Sequence, residues 1–148
     1  MATGTVRLHR VLRASTEKVY RAFLEADALS KWLSPHGFTC ELQHLDAVVG
    51  GSFRMSFTDF STGNSHSFGG TYQVLVSFER IRYSDTFNDP NLPGEMQVTV
   101  LLTPVSCGCE LQVEQAGIPA VIALEMCYLG WQELLAQLAN LVAHEIAA

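Results

Sequence analysis

TVRLHRVLR, residues 5 to 13, sets Val6 and Leu8 against Arg7 and His9, the period-two alternation of a half-buried strand. A slip in that pattern is expected to bring Val11 inward. Ser15 then offers a helix N-cap to TEKVYRAFLEA, where Val19, Phe23 and Ala26 recur at helical spacing. Asp27 is expected to cap a second short helix, ALSKWL, which Pro35 prevents from continuing. Between Phe38 and Gln115 every signal is strand and turn. FTCELQHLDAVVGGSFRMSF reads as two strands joined at Gly50-Gly51, with Phe53, Met55 and Phe57 on one face. His66, Phe68, Gly70, Tyr72 and Val74 share a face of the next strand, and Ile81, Tyr83, Asp85 and Phe87 share a face of the one after it. MQVTVLLTP groups Met96, Val98, Val100 and Leu102, and ELQVEQ groups Leu111, Val113 and Gln115.

The chain closes on one long helix, from about Ala120 to near Ala147. Leu124, Tyr128, Trp131, Leu135, Leu138 and Val142 form its apolar stripe, broadened by Cys127. A helix of that length spans ~40 Å at 1.5 Å per residue, enough to cross a sheet. Gly130 sits mid-helix, where glycine is unfavourable by about 1 kcal/mol relative to alanine. It is expected to permit a close approach to the sheet or a bend, so that Gly130→Leu would overpack. One strand, two short helices, six strands and a long helix bury their faces together when an antiparallel sheet of seven strands curls around the last helix. A curved sheet gripping a helix rarely fills its concave side, so a cavity is expected there.

Composition narrows the class. The 148 residues make one domain, 48% hydrophobic and only 16% charged, below the roughly 25% of ordinary globular proteins. That points to a large buried volume or to an apolar surface used for binding. No apolar run reaches the ~18 residues of a membrane span, and the first ten residues lack the apolar stretch of a signal peptide, so a cytoplasmic location is expected. A net charge of −6 argues against nucleic acid, whose binding rests on phosphate neutralisation. Met126 and Leu129 lie off the helix stripe and leave a homodimer open. The four cysteines, two of them in SCGCE, include no CxxC pair, so reduced structural thiols are expected and neither metal nor cofactor is called for.

Candidate chemistry follows from the faces. The expected cavity wall is apolar: Phe53, Met55, Phe57, Phe68, Val98, Val100, Cys127 and Trp131. His66, Tyr72, Tyr83, Asp85 and Gln115 fall in register with it, and His44 is a further candidate. A histidine beside an aspartate can move a proton and a tyrosine can polarise a carbonyl, but no spaced catalytic motif is present. Rim positions with wetted polar tips explain the same pattern. Glu125 and Tyr128 open the last helix as further candidates. Trp32 and Phe38 flank a turn in KWLSPHGF. They either cover the cavity entrance or cap the core.

The sequence resembles a known family in several stretches taken in order. These are Trp32 with Pro35 and Gly37-Phe38, Asp46 with Gly50-Gly51, the run from Glu79 to Tyr83, and Gly130-Trp131. The chain is similar to the START-like (SRPBCC) superfamily, in the branch of bacterial homologues of the C-terminal domain of the heat-shock-protein-90 ATPase activator. The resemblance implies an α+β helix-grip fold and a small apolar or amphipathic ligand held in the cavity. Two alternatives remain: an enzyme of cyclase or hydrolase type acting on such a ligand, or a chaperone-associated protein of the stress response. The activator itself carries an additional N-terminal domain, absent from this sequence, so full ATPase activation is not expected.

Overall fold

A computed structural model describes residues 3–92 and 94–143. Strand β1 (Thr3–Leu12) is followed by α1 (Thr16–Leu24) and α2 (Ala26–Trp32). Strands β2 (Phe38–Leu45), β3 (Ser52–Asp59), β4 (Ser65–Val76), β5 (Arg80–Phe87), β6 (Met96–Val105) and β7 (Gly108–Pro119) come next, and α3 (Leu124–Val142) ends the described chain. The strands form one seven-stranded sheet in the order β1-β7-β6-β5-β4-β3-β2, antiparallel at every pairing. This is the antiparallel seven-stranded sheet expected from the residue pattern, in the α+β helix-grip arrangement that the resemblance implies.

Three local expectations change. β1 keeps strict alternation instead of slipping: Val6, Leu8 and Leu12 are buried, while Val11 is 52% exposed. Ser15 does cap α1, its Oγ accepting from the Lys18 N–H at 3.1 Å. Asp27 does not cap α2; it lies inside the first turn, and the N-cap is Glu25, held by Arg21 at 2.6 Å. α3 starts at Leu124 rather than near Ala120, because the chain turns through Pro119–Ile122, with the Ile122 N–H donating to the Pro119 carbonyl. The expected extension to Ala147 lies outside the described residues.

The core forms where the sheet meets the helices. Val98, Val100, Leu111 and Val113 are all almost fully buried, as are Leu135 and Leu138 of α3. α3 makes its main backbone approaches away from β3, β4 and β5. It packs against β1, α1 and α2, with Tyr128 accepting a hydrogen bond from the Arg7 N–H and Trp131 Nε1 donating to Gln115 Oε1 on β7 at 2.8 Å. The concave face of β3, β4 and β5 is therefore left partly uncovered.

Two glycines have opposite reasons. A Cβ at Gly70 would sit 1.7 Å from the Ser84 carbonyl oxygen, so only glycine allows β4 and β5 to approach so closely. The ladder is irregular here, the register shifting between Tyr72 and Val74 while the buried Ser84 hydroxyl accepts the Thr71 N–H at 3.0 Å. Of the two expected roles of Gly130, a close approach or a bend, the close approach does not hold: a Cβ there meets nothing within 4 Å. Its missing side chain leaves open space, not a tight seam. Gly70→Ala should accordingly destabilise by about 3 kcal/mol, while Gly130→Ala should stabilise by about 1 kcal/mol through helix propensity. Chemical denaturation of both variants checks the pair. Equal effects of the same sign would contradict this account of the two positions.

Candidate functional site

The space between α3 and the uncovered part of the sheet is a cavity of about 280 Å³. The alternating residues of each strand build its floor: Phe53, Met55 and Phe57 from β3, His66, Phe68 and Tyr72 from β4, and Tyr83, Asp85 and Phe87 from β5. Cys127, Gly130, Trp131 and Leu134 of α3 form the roof, and Phe23, Leu29, Trp32 and Leu33 close one end. Aromatic rings pack edge to face along the floor, Phe53 against Tyr83 at 5.5 Å and Phe57 against Phe68 at 4.8 Å between centroids. Two other depressions have larger volumes, about 420 and 500 Å³, but polar and mostly exposed side chains contribute heavily to their walls. Size alone therefore does not identify the site.

The loop that closes the end is KWLSPHGF. Trp32 is 1% exposed, its Nε1 donates to the Ala22 carbonyl at 2.8 Å, and its ring meets Phe23 edge on at 4.9 Å. It is an inner wall rather than an exposed gate. Phe38 does not line the cavity; it is half-buried at the start of β2, opposite Asp59. α3 ties the loop down from the other side. Gln137 Nε2 donates to the carbonyls of Trp32 and Ser34 at 2.7 and 3.0 Å, and Glu133 accepts from the His36 N–H while pairing with its ring.

Other candidate positions divide in the same way. Val98 and Val100 share the expected face but are sealed in the core, where β6 pairs with β5 and β7 beyond the edge of the cavity. His44 is exposed and lies at one of the solvent-facing depressions instead. Glu125 is exposed, and Tyr128 is engaged at β1. Phe23, Leu29, Leu33, Phe87 and Leu134 line the cavity although sequence reasoning did not place them in it. Phe87 continues the Tyr83-Asp85 alternation and could have been found from it. The α1 and α2 residues depend on how the helices dock, which no local period encodes.

One group stands out electrostatically. Asp85 Oδ1 is sealed from solvent and has no hydrogen-bond partner among the described residues, although the residue as a whole keeps some exposure. Burial pushes the carboxyl up from its ordinary 3.8 to about 7, against the pull of a hydrogen bond with the Thr86 backbone. Burial likewise raises Tyr72 to about 12. It raises Tyr83 well above its ordinary value, with the charges of Asp85 and Tyr72 adding to the effect. Gln115 is committed, bonded to Trp131 and directed at Met96 Sδ. A carboxyl that holds its proton near neutrality can act as an acid or a base, and as a donor or an acceptor. Among the described residues, no cluster of three or more His, Cys, Asp or Glu side chains could hold a metal ion.

Comparison with known proteins places this geometry. The family described as "Activator of Hsp90 ATPase homolog 1-like protein" matches residues 13–143. The chain belongs to that family. Its structure is similar to that of protein CV1439 from Chromobacterium violaceum, 55% identical, with a TM-score of 0.94 over 95% of this chain and 98% of that one. A protein from Rhodobacter sphaeroides, 20% identical over 94% of this chain and 91% of that one, shares the fold with a TM-score of 0.82. So does protein SA2116 from Staphylococcus aureus, described as of unknown function, at 16% identity, a TM-score of 0.77 and coverage of 95% and 94%. No relative was found among curated proteins. Among the described residues, no helix is long and apolar enough to cross a membrane.

The Asp85 carboxyl makes stability depend on pH with a definite sign. Its folded pKa lies above its unfolded one, so its contribution is fully present below about pH 4 and is lost as the pH rises through about 7. At roughly 1.4 kcal/mol per pH unit across that interval, the loss is on the order of 4 kcal/mol at most. Asp85→Asn should therefore match the wild type near pH 4 and melt progressively higher than it towards about pH 8. A gap independent of pH would show that Asp85 ionises freely in the folded protein.

Proposed function

We propose that this protein binds a small apolar molecule in the cavity between the curved sheet and α3. The observation that carries the reading is the composition of the cavity wall: aromatic and aliphatic side chains enclose about 280 Å³, close to the lower limit of ordinary ligand pockets at ~300 Å³. Such a volume suits a molecule of one or two fused rings or a short branched chain. Among the described residues, no lysine or arginine lines it, so an anionic head group would find no counter-charge inside. Trp32, Phe53, Met55, Phe57, Phe68 and Trp131 supply contact area, while His66, Tyr72, Tyr83 and Asp85 supply polar points around it. Cys127 faces the same space from α3.

A second reading is supported by Asp85 alone. Its carboxyl, held near neutrality, suits proton transfer to a bound substrate, which would make the protein an enzyme acting on the same class of molecule. The family's description points instead to association with a chaperone. The cavity is preferred as the starting point because its apolar wall has a specific chemical use, and binding is a precondition of the enzymatic reading as well.

Gly130 allows a direct test. Its substitution by leucine would extend a side chain into the cavity roof from a position with nothing within 4 Å. The uncharged fluorescent probe N-phenylnaphthylamine should bind the wild type saturably. Gly130→Leu should lose that binding at least roughly tenfold without melting lower, since the new side chain meets space rather than packed neighbours. Undiminished probe binding to a folded Gly130→Leu would place the binding surface elsewhere. Product formation from any bound compound, followed by mass spectrometry and lost in Asp85→Asn, would favour the enzyme.

A further inference from the structure

The cavity lining grades from sealed to exposed along three adjacent strands, in the same direction on each. On β3, Phe53 and Met55 are buried and Phe57 is half-buried. On β4, Tyr72 is buried, Phe68 half-buried and His66 exposed. On β5, Ile81 is sealed in the core, while Tyr83 and Phe87 keep some exposure. The register makes these one gradient, because Phe57 lies opposite His66, Phe68 opposite Phe87 and Tyr72 opposite Tyr83. At the inner level the rings of Phe53, Tyr72 and Tyr83 plug the space, with centroids 5.5, 5.5 and 6.1 Å apart. Alternation keeps Phe57, Phe68 and Phe87 on the concave face, so the exposure they retain marks where that face is open.

The roof has the same asymmetry. Trp131, Leu135 and Leu138 of α3 are buried, whereas Cys127, Gly130 and Leu134 form a half-buried edge at i, i+3 and i+7. Glycine at the middle of that edge leaves a gap, since a Cβ there meets nothing within 4 Å. Across the gap His66 borders the same space from the end of the β3–β4 hairpin. Its imidazole has no hydrogen bond or ion pair among the described residues. The inner end is different: Phe23, Leu29 and Trp32 are all buried there beside Phe53 and Met55. A polar group pushed against that end loses its hydration, whereas at the outer level water still reaches it.

We propose that the cavity opens to solvent between Gly130 and His66 and takes an amphipathic molecule with a single polar end, its apolar body inserted first, an inference that rests on the ligand-binding reading above. The body lies against Phe53, Met55, Phe68 and Trp131. The polar end stays hydrated in the mouth beside His66. Such a site selects by where polarity sits on the molecule. One polar end is accepted at any length, and a second at the opposite end is refused.

Naphthalenes competing with N-phenylnaphthylamine test the arrangement. Naphthalene carrying one triethylene glycol chain should displace the probe within roughly threefold of ethylnaphthalene, because the chain leaves through the mouth. A naphthalene with such chains at opposite ends of its rings must desolvate one of them against the inner plug. It should compete at least roughly thirtyfold less well. Charge locates the mouth. His66→Arg should shift the ratio of affinities for naphthylacetate and naphthylethylamine towards the carboxylate by roughly fivefold at low ionic strength, as an exposed ion pair allows. His44→Arg makes the same change of net charge at an exposed histidine that does not line the cavity, and should leave the ratio unchanged. Equal competition by the one-chain and two-chain compounds would reveal a second opening. Equal failure of both would show that the mouth admits no chain. A shift no larger in His66→Arg than in His44→Arg would place the polar end elsewhere. Each of these results overturns the proposal while the cavity remains a binding site. Failure of the probe and of every naphthalene to bind the wild type would remove the ligand-binding reading itself.

Discussion

The docking of α3 against β1 and β7 is the constraint on which the rest of the molecule depends. A sheet of seven strands curved this strongly has more concave surface than one helix can cover. Where the helix settles decides where the uncovered surface lies. Trp131 reaches Gln115 on β7, Tyr128 reaches the backbone of β1, and Leu124 packs at Gly4, so the start of α3 is drawn to the β1–β7 side. The aromatic floor over β3, β4 and β5 is left facing empty space, and α1 and α2 close only one end of it.

The cavity has consequences for stability as well as for binding. Open space forfeits the dispersion contacts that a packed side chain would make, and a buried carboxyl without a partner adds a desolvation penalty. Both features lie on the same wall, within a fold whose remaining interior is tightly sealed around Val6, Ile81, Val100, Leu111 and Leu138. The unfilled surface lies along β3, β4 and β5, whose other inward residues, such as Ile81, belong to the sealed core. Under the proposed ligand-binding reading, an occupant would recover along β3 to β5 what the empty state forgoes.

The segment after α2 links the two halves. Trp32 is fixed by its bond to Ala22 and by Phe23, and Gln137 and Glu133 of α3 hold the backbone beyond it. The aromatic richness of KWLSPHGF therefore has a structural origin: its tryptophan is the end wall of the cavity, and its irregular backbone accepts hydrogen bonds from Gln137 and donates one to Glu133 because it has no ladder of its own.

The strands, their antiparallel order and the identity of the inward faces were legible in the chain, because a half-buried strand imposes a period of two that survives any tertiary arrangement. That is why alternation alone assigns Phe53, Met55, Phe57, Phe68, Tyr83 and Asp85 to one side. The same rule could not separate Val98 and Val100 from them, since a sealed core and a cavity wall have the same alternation. Nor could it show that Trp32 faces inward, that Phe38 stands apart, or that Gly130 borders a void rather than a contact. Those outcomes depend on where α3 and the two short helices dock, and docking is fixed by a few long-range contacts such as Trp131 with Gln115, whose partners lie far apart in sequence and follow no period. The residues chose the faces; the position of one helix decided which part of those faces borders a cavity.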